Sequence, residues 1–370
     1  MRRRLVLPLV LLATAVLAPA ALAPAATAVE PGPRVEHIAL GAVPTARDAS
    51  REVRTDRPFS MLGVRWTGAA PDEVAVRART DRGWRPWTPL EPATDRASEP
   101  LWTGDARAAQ VRATRDGRDV TAELQLIALD PGPAPAARQA PAAGPGGRPP
   151  VVERAGWGAD EKQTTWAGQA TTTRAVAVHH TAGSNDYRCA VSASVVRGLF
   201  HYHAVELGWG DIGYHALVDK CGTVFEGRRG GLDGDVIGGH ALGFNHETFG
   251  VAMLGNLEQV RPSPETLGGV ARISGWKLDR AGVPADGTVV LTGRGGSLHA
   301  AGARVALPTI FGHRDVGRTL CPGRFGHAAL GEIRSRATAA QHPPAQDPPA
   351  QEPPAQESPA EEDDTAQQAL

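Results

Sequence analysis

Residues 131–150 read PGPAPAARQAPAAGPGGRPP, a stretch made almost entirely of Pro, Ala and Gly. Such a run offers no apolar face to bury and favours extended backbone. No single hydrophobic core can pass through it, so it divides the chain. We read it as a linker between an N-terminal region, 29–130, and a C-terminal region, 151–337. A length of 370 residues is enough for two ordinary domains.

The ends of the chain read differently from its body. Arg2, Arg3 and Arg4 precede an apolar run from Leu5 to Leu17, and Ala26-Thr27-Ala28 has the small-x-small pattern of a cleavage site. Residues 1–28 are therefore expected to be a signal peptide, with Arg2-Arg3 also compatible with a twin-arginine route. No later segment reaches the length of apolar sequence that a spanning helix needs. The expected location is secreted or at the cell wall. The formal charge of -1 hides a segregation: residues 1–340 carry 39 basic and 33 acidic residues, while the last thirty carry seven acids and no Lys or Arg. A body so close to neutral argues against a nucleic-acid partner. The repeat PPAQDPPAQEPPAQESPAEEDD marks residues 338–370 as a disordered, acidic, Pro-rich tail.

Alternating runs such as DEVAVRART (72–80), AAQVRATR (108–115) and TAELQLIAL (121–129) are separated by turn clusters. This predicts a small antiparallel β-sandwich-like domain over 29–130. Trp66, Trp84, Trp87 and Trp102 either fill its core or form a stacking face for sugar. The C-terminal region mixes types. RAVAVHHT (174–181) and TFGVAMLG (248–255) read as buried strands, and IGYHALVD and TVFEG as a hairpin. Val191, Val195, Val196, Leu199 and Tyr202 recur at helical spacing. SPET at 263–266 opens a helix that runs to about Arg280, and a last helix covers 325–337. The expected fold class is α/β, a mixed central β-sheet flanked by helices.

Chemistry concentrates in GHRDVGRTLCPG (312–323), where His313 and Cys321 stand eight residues apart among turn-formers. A catalytic zinc takes three protein ligands and leaves one position open. His313, Cys321 and one of His179 and His180 offer that set. Successive strand residues face opposite ways, so only one of the two adjacent histidines can reach the ion. The alternative is a buried histidine and an inert thiol. Three cysteines in an exported chain leave one unpaired.

Five motifs then occur in order: VHHTAG (178–183), GWGDIGYHALVDKCGTVFEGR (208–228), GGHALGFN (238–245), GVAMLGN (250–256) and GHRDVGRTLCPG. Together they resemble peptidoglycan recognition proteins and the related zinc-dependent N-acetylmuramoyl-L-alanine amidases, over roughly residues 150–337. The resemblance implies Zn2+ held by His179, His313 and Cys321. It implies that Tyr214 and Thr319 stabilise the oxyanion formed when the bond between N-acetylmuramic acid and L-alanine is cut. Phage-type relatives carry Lys at the Thr319 position. It also implies that His240 and Asn245 border a peptide groove. Arg228, from its own chemistry, either meets a stem-peptide carboxylate or forms a surface salt bridge. Many animal relatives have Gly-Trp after EGR, associated with diaminopimelate; here Arg229-Gly230-Gly231 follows, which leaves the stem-peptide preference open. Cys189 and Cys221 are expected to form a disulfide, leaving Cys321 as the thiolate ligand.

Glu226 is either a general base or a structural carboxylate at a strand end. His203, His215 and His246 either line a groove or are hydrogen-bonded within the fold, and Asp315 either orients a ligand or closes a turn. The expected partner is peptidoglycan and the expected state a monomer. Three functions compete: a zinc amidase, a wall-binding module with little or no catalysis, and another zinc hydrolase acting on the stem peptide. Non-catalytic relatives typically lack the ligand Cys, which this chain keeps.

Overall fold

A computed structural model describes residues 32–42, 50–135 and 147–342. The expected signal peptide, most of the expected tail and positions 136–146 of the linker lie outside the described residues.

The N-terminal module is antiparallel. Its strands are β1 (Arg34–Ala39), β2 (Arg51–Trp66), β3 (Glu73–Thr80), β4 (Gly83–Trp84), β5 (Thr88–Pro89), β6 (Leu101–Arg115), β7 (Arg118–Asp119) and β8 (Leu124–Asp130). They form one sheet in the order β1-β8-β2-β6-β3-β4, with β5 on β3 and β7 on β6. The long β2–β6 pair shifts register around Phe59, where bulges bend the strands. Val53, Val64, Trp66, Val76, Val111 and Leu126 pack together on the inner face. Trp66 and Trp102 are buried, as core filling requires. Trp84 and Trp87 are only partly buried, and Arg77 stacks on both.

The C-terminal module has a second sheet. Its strands are β9 (Ala175–His180), β10 (Ala216–Val218), β11 (Val224–Glu226), β12 (Thr248–Met253) and, after the hairpin of β13 (Thr288–Thr292) and β14 (Arg304–Pro308), β15 (Ile310–Gly312). The order is β11-β10-β12-β9-β15, parallel except for β11. β9 and β12 are buried along their whole length, which explains their unbroken apolar sequence. The helices are α1 (Arg154–Trp157), α2 (Ser192–His201, continued by one π turn), α3 (Pro264–Arg280), α4 (Arg324–Ala328) and α5 (Leu330–Gln341). Ser263 caps α3 by accepting the Thr266 amide at 3.0 Å, and Pro264 takes the first helical position. Val176 and Val178 face α3 and α5. Ala175 and Ala177 face Phe311 and the β13–β14 hairpin. The Cys189–Cys221 disulfide joins the approach to α2 to the β10–β11 turn.

The two modules are fused rather than strung apart. Met61, Trp102, Ile127 and Leu129 of the first share one apolar cluster with Val196, Leu199, Phe200 and Tyr202 of the second. At Gly63 a Cβ would lie 2.1 Å from the Tyr202 hydroxyl oxygen, so only glycine lets β2 approach so closely. The stretch expected to be unpacked linker is held at its start. Pro131 is buried, the Pro133 carbonyl accepts Arg197 at 2.6 Å, and the Ala134 amide donates to Ser194 Oγ at 3.2 Å. A Pro-rich backbone has few donors, and α2 supplies one.

Lys277 of α3 is buried, and its ammonium donates to the carbonyls of Gly231, Leu232 and Gly234 at 3.0, 3.0 and 2.6 Å. Asp235 lies 3.0 Å away. Replacing Lys277 by Met would leave those acceptors unpaired in the interior. We expect Lys277→Met to cost about 3 kcal/mol, read as a lower denaturation midpoint at unchanged slope.

Candidate metal centre

β9 ends on two histidines that its pleat sends to opposite faces. His179 lies on the Ala175–Ala177 face and His180 on the Val176–Val178 face. The parallel register sets Gly312 of β15 beside Val178, so His313, the next residue, comes level with His179. Their rings are 4.7 Å apart. The chain then turns, with Asp315 accepting the Gly312 amide at 2.8 Å, and returns so that the Arg314 amide donates to the Cys321 carbonyl at 2.8 Å. Cys321 Sγ lies 3.5 Å from His179 Nδ1 and accepts the His180 amide at 3.3 Å. One donor atom each from His179, His313 and Cys321 fall within 4.8 Å of one another. His179 and Cys321 are buried and His313 is half-buried, so the centre opens on the His313 side. His180 points away, and its Nδ1 accepts the Leu257 amide at 3.1 Å.

His179 Nε2 lies 3.0 Å from Nδ1 of His240. With Nδ1 turned to Cys321, Nε2 carries the proton and donates it, which fixes the tautomer and ring plane. Burial and the neighbouring imidazoles hold His179 well below the usual histidine range, and burial takes His313 down to about 4. Both rings are therefore neutral nitrogen donors at neutral pH. Burial pushes the Cys321 thiol up. Two neutral imidazoles and a dry thiol that needs a cation to ionise fit zinc.

Tyr214 packs its ring 5.3 Å from that of His179. Burial, with Glu99, Cys321 and Glu91 nearby, raises its phenol well above the usual value, so it keeps its proton. Thr319 is bonded on both sides. Its hydroxyl donates to Glu91 and its oxygen accepts the Cys321 amide at 3.0 Å. A hydroxyl has one proton, and here it is directed at Glu91.

The three expected substrate contacts have partners within the fold. His240 is buried behind His179, and Gly250 of β12 leaves room for its ring: a Cβ there would sit 2.4 Å from it. Asn245 accepts the amides of His240 and Ala241, both at 2.7 Å, closing the turn that carries His240. Arg228 is 2% exposed and donates to the carbonyls of Ile212 and Ile237 at 2.9 and 3.2 Å, beneath Trp166. It forms neither a surface salt bridge nor a free carboxylate receptor.

The other open alternatives resolve locally. His203 Nδ1 accepts the Gly213 amide, and His215 bridges Gly250 and Val236. Asp315 closes its turn and also bonds His327 at 2.9 Å. Glu226 accepts the Arg154 amide at 3.2 Å, and burial and Glu153 raise it to about 7.

Comparison with known proteins gives two family matches. A family described as N-acetylmuramoyl-L-alanine amidase matches residues 169–324. A family described as Rv3811 N-terminal galactose-binding domain-like matches residues 19–146. Peptidoglycan-recognition protein SC2 of Drosophila simulans is 31% identical over 173 residues, covering 47% of this chain and 80% of that protein. The N-acetylmuramoyl-L-alanine amidase of Homo sapiens is 33% identical over 151 residues, covering 40% of this chain and 22% of that protein. Among solved structures, Drosophila peptidoglycan recognition protein SD is 26% identical, covers 50% of this chain and 94% of its own, and gives a TM-score of 0.39.

Two outcomes are expected from this geometry. His240→Ala should weaken zinc binding roughly 10- to 100-fold, measured by chelator competition, because His179 loses the partner that orients it. Glu226 binds its proton more tightly folded than unfolded, where its ordinary value is 4.5. Its contribution to stability is complete below that value and is lost as pH rises through about 7. Melting curves from pH 5 to 8 should therefore fall less steeply for Glu226→Gln than for the wild type.

Proposed function

This chain belongs to the family of peptidoglycan-recognition proteins and N-acetylmuramoyl-L-alanine amidases, and from that membership we propose that it is a zinc-dependent amidase exported to the cell wall. The bond cut is the amide between the lactyl group of N-acetylmuramic acid and L-alanine. The observation that carries this reading is the intact set of His179, His313 and Cys321, gathered within 4.8 Å and half open on one side.

Bound zinc would supply a Lewis acid for the carbonyl and lower the pKa of a water. The chain's own residues do the rest. His240 holds His179 in the tautomer that presents Nδ1, and the His180 amide orients Cys321 Sγ. Tyr214 keeps its phenol proton and can donate it as a hydrogen bond to the carbonyl oxygen as charge builds there. Its burial keeps water from competing for that bond. Thr319 braces the Cys321 amide rather than the oxyanion.

Recognition with little turnover is the second reading, and the committed Thr319 hydroxyl is what favours it. Soluble muropeptides separate the two. The amidase should release an intact stem peptide beginning with L-Ala, stop with a chelator and resume with zinc. Muropeptides bound but left whole by zinc-loaded protein would establish recognition instead, and cleavage within the stem would point to a peptidase. Tyr214→Phe should lower kcat by roughly 10²–10³-fold with little change in KM. Cys321→Ser should lose both activity and stoichiometric zinc.

A further inference from the structure

One loop of the N-terminal module reaches the metal centre from outside the family's own fold. It lies between β5 and β6, and a glutamate stands at each end. The Glu99 amide donates to the Glu91 carbonyl at 2.7 Å, and Pro92 bridges Ser98. The loop is tied to β2: Ser98 and Val64 exchange hydrogen bonds, and Trp66 Nε1 donates to the Asp95 carbonyl at 2.8 Å.

Both glutamates face the C-terminal module. One Glu91 oxygen accepts the Thr319 hydroxyl and the other the Leu320 amide at 3.2 Å. Thr319 in turn accepts the Cys321 amide, so a hydrogen-bond chain runs from Glu91 to the backbone of the thiol residue. Glu99 lies 3.6 Å from His203 Nε2. His203 accepts the Gly213 amide at Nδ1, so in the neutral ring its proton sits on Nε2, facing Glu99. The His203 ring lies 5.7 Å from that of Tyr214.

We infer that the N-terminal module is a working part of the metal centre, with Glu91 the positioning residue that fixes the Cys321 loop. The inference rests on reading His179, His313 and Cys321 as a metal site. The contact is permanent rather than a cap that lifts, because the modules share a buried apolar cluster whose separation would expose Met61, Trp102, Ile127 and Leu129 to water. The segment Gly317–Leu320 lies outside any helix or strand, and Glu91 adds bonds from the other module to the turn bonds it makes itself. Glu91 provides it with two acceptors on one rigid carboxylate.

The test uses the full chain and zinc alone. Zinc affinity is measured by competition with a chromogenic chelator, and the thiolate-to-metal band is recorded after cobalt substitution. Glu91→Ala should bind zinc roughly 10- to 100-fold more weakly and shift the cobalt band. Glu91→Gln, which keeps one acceptor, should lose less and guards against a folding defect in the first variant. Arg85→Ala removes a 2.8 Å ion pair with Asp186 at the same module boundary and should bind zinc normally. Wild-type affinity and spectrum in both Glu91 variants would overturn the inference. So would an equal loss in Arg85→Ala, which would show only a loosened boundary. A wild-type chain that binds no zinc would overturn the metal reading itself.

Discussion

The structure turns on the pairing of β9 along both of its edges. With β12 on one side and β15 on the other, neither its register nor its pleat is free. That fixes which of two adjacent histidines enters the cluster. A slip of one residue would send His180 to the His240 side and leave His179 against α3 and α5. It would also move the amide that holds Cys321 Sγ. The neighbours then deliver what the centre needs: β15 hands over His313, and β12 provides the glycine against which His240 packs. Charge follows from the same packing. Burial keeps the centre's imidazoles neutral and pushes its thiol up.

Much of this organisation is visible in the amino-acid sequence, because strong periodicity leaves few alternatives. The unbroken apolar runs of β9 and β12, the hairpin around Cys221 and the Ser263-Pro264 helix start each have a local physical cause. The β13–β14 hairpin was not anticipated; its strands are short and largely exposed, so their pattern is faint. At the centre, spacing and resemblance brought His179, His313, Cys321 and Tyr214 into view. What they could not supply was depth. His240 and Arg228 are buried, with Asn245 closing the turn that carries His240, and only the placement of β12 and the Ile212–Tyr214 turn reveals this.

Glu91 was invisible for another reason. It stands 228 residues from Thr319 and in a different module, so no motif links the two. Its partner also changes how Thr319 is understood. The Thr319 hydroxyl is directed at Glu91. That position holds the Cys321 loop, with Glu91 accepting from Thr319 and Thr319 from the Cys321 amide. Tyr214 is left as the one nearby phenol that still holds a proton to offer.

The Pro- and Ala-rich stretch takes on a different meaning once both its ends are seen to be fixed. Residues 131–135 lie along α2, and Arg148 pairs with Glu153 at the start of the C-terminal module. The twelve positions between residue 135 and Arg148 connect two anchored points. Closure entropy varies only slowly with length. The stretch can therefore gain or lose residues over generations with little effect on geometry, and it is not a ruler that sets how far one module reaches from the other.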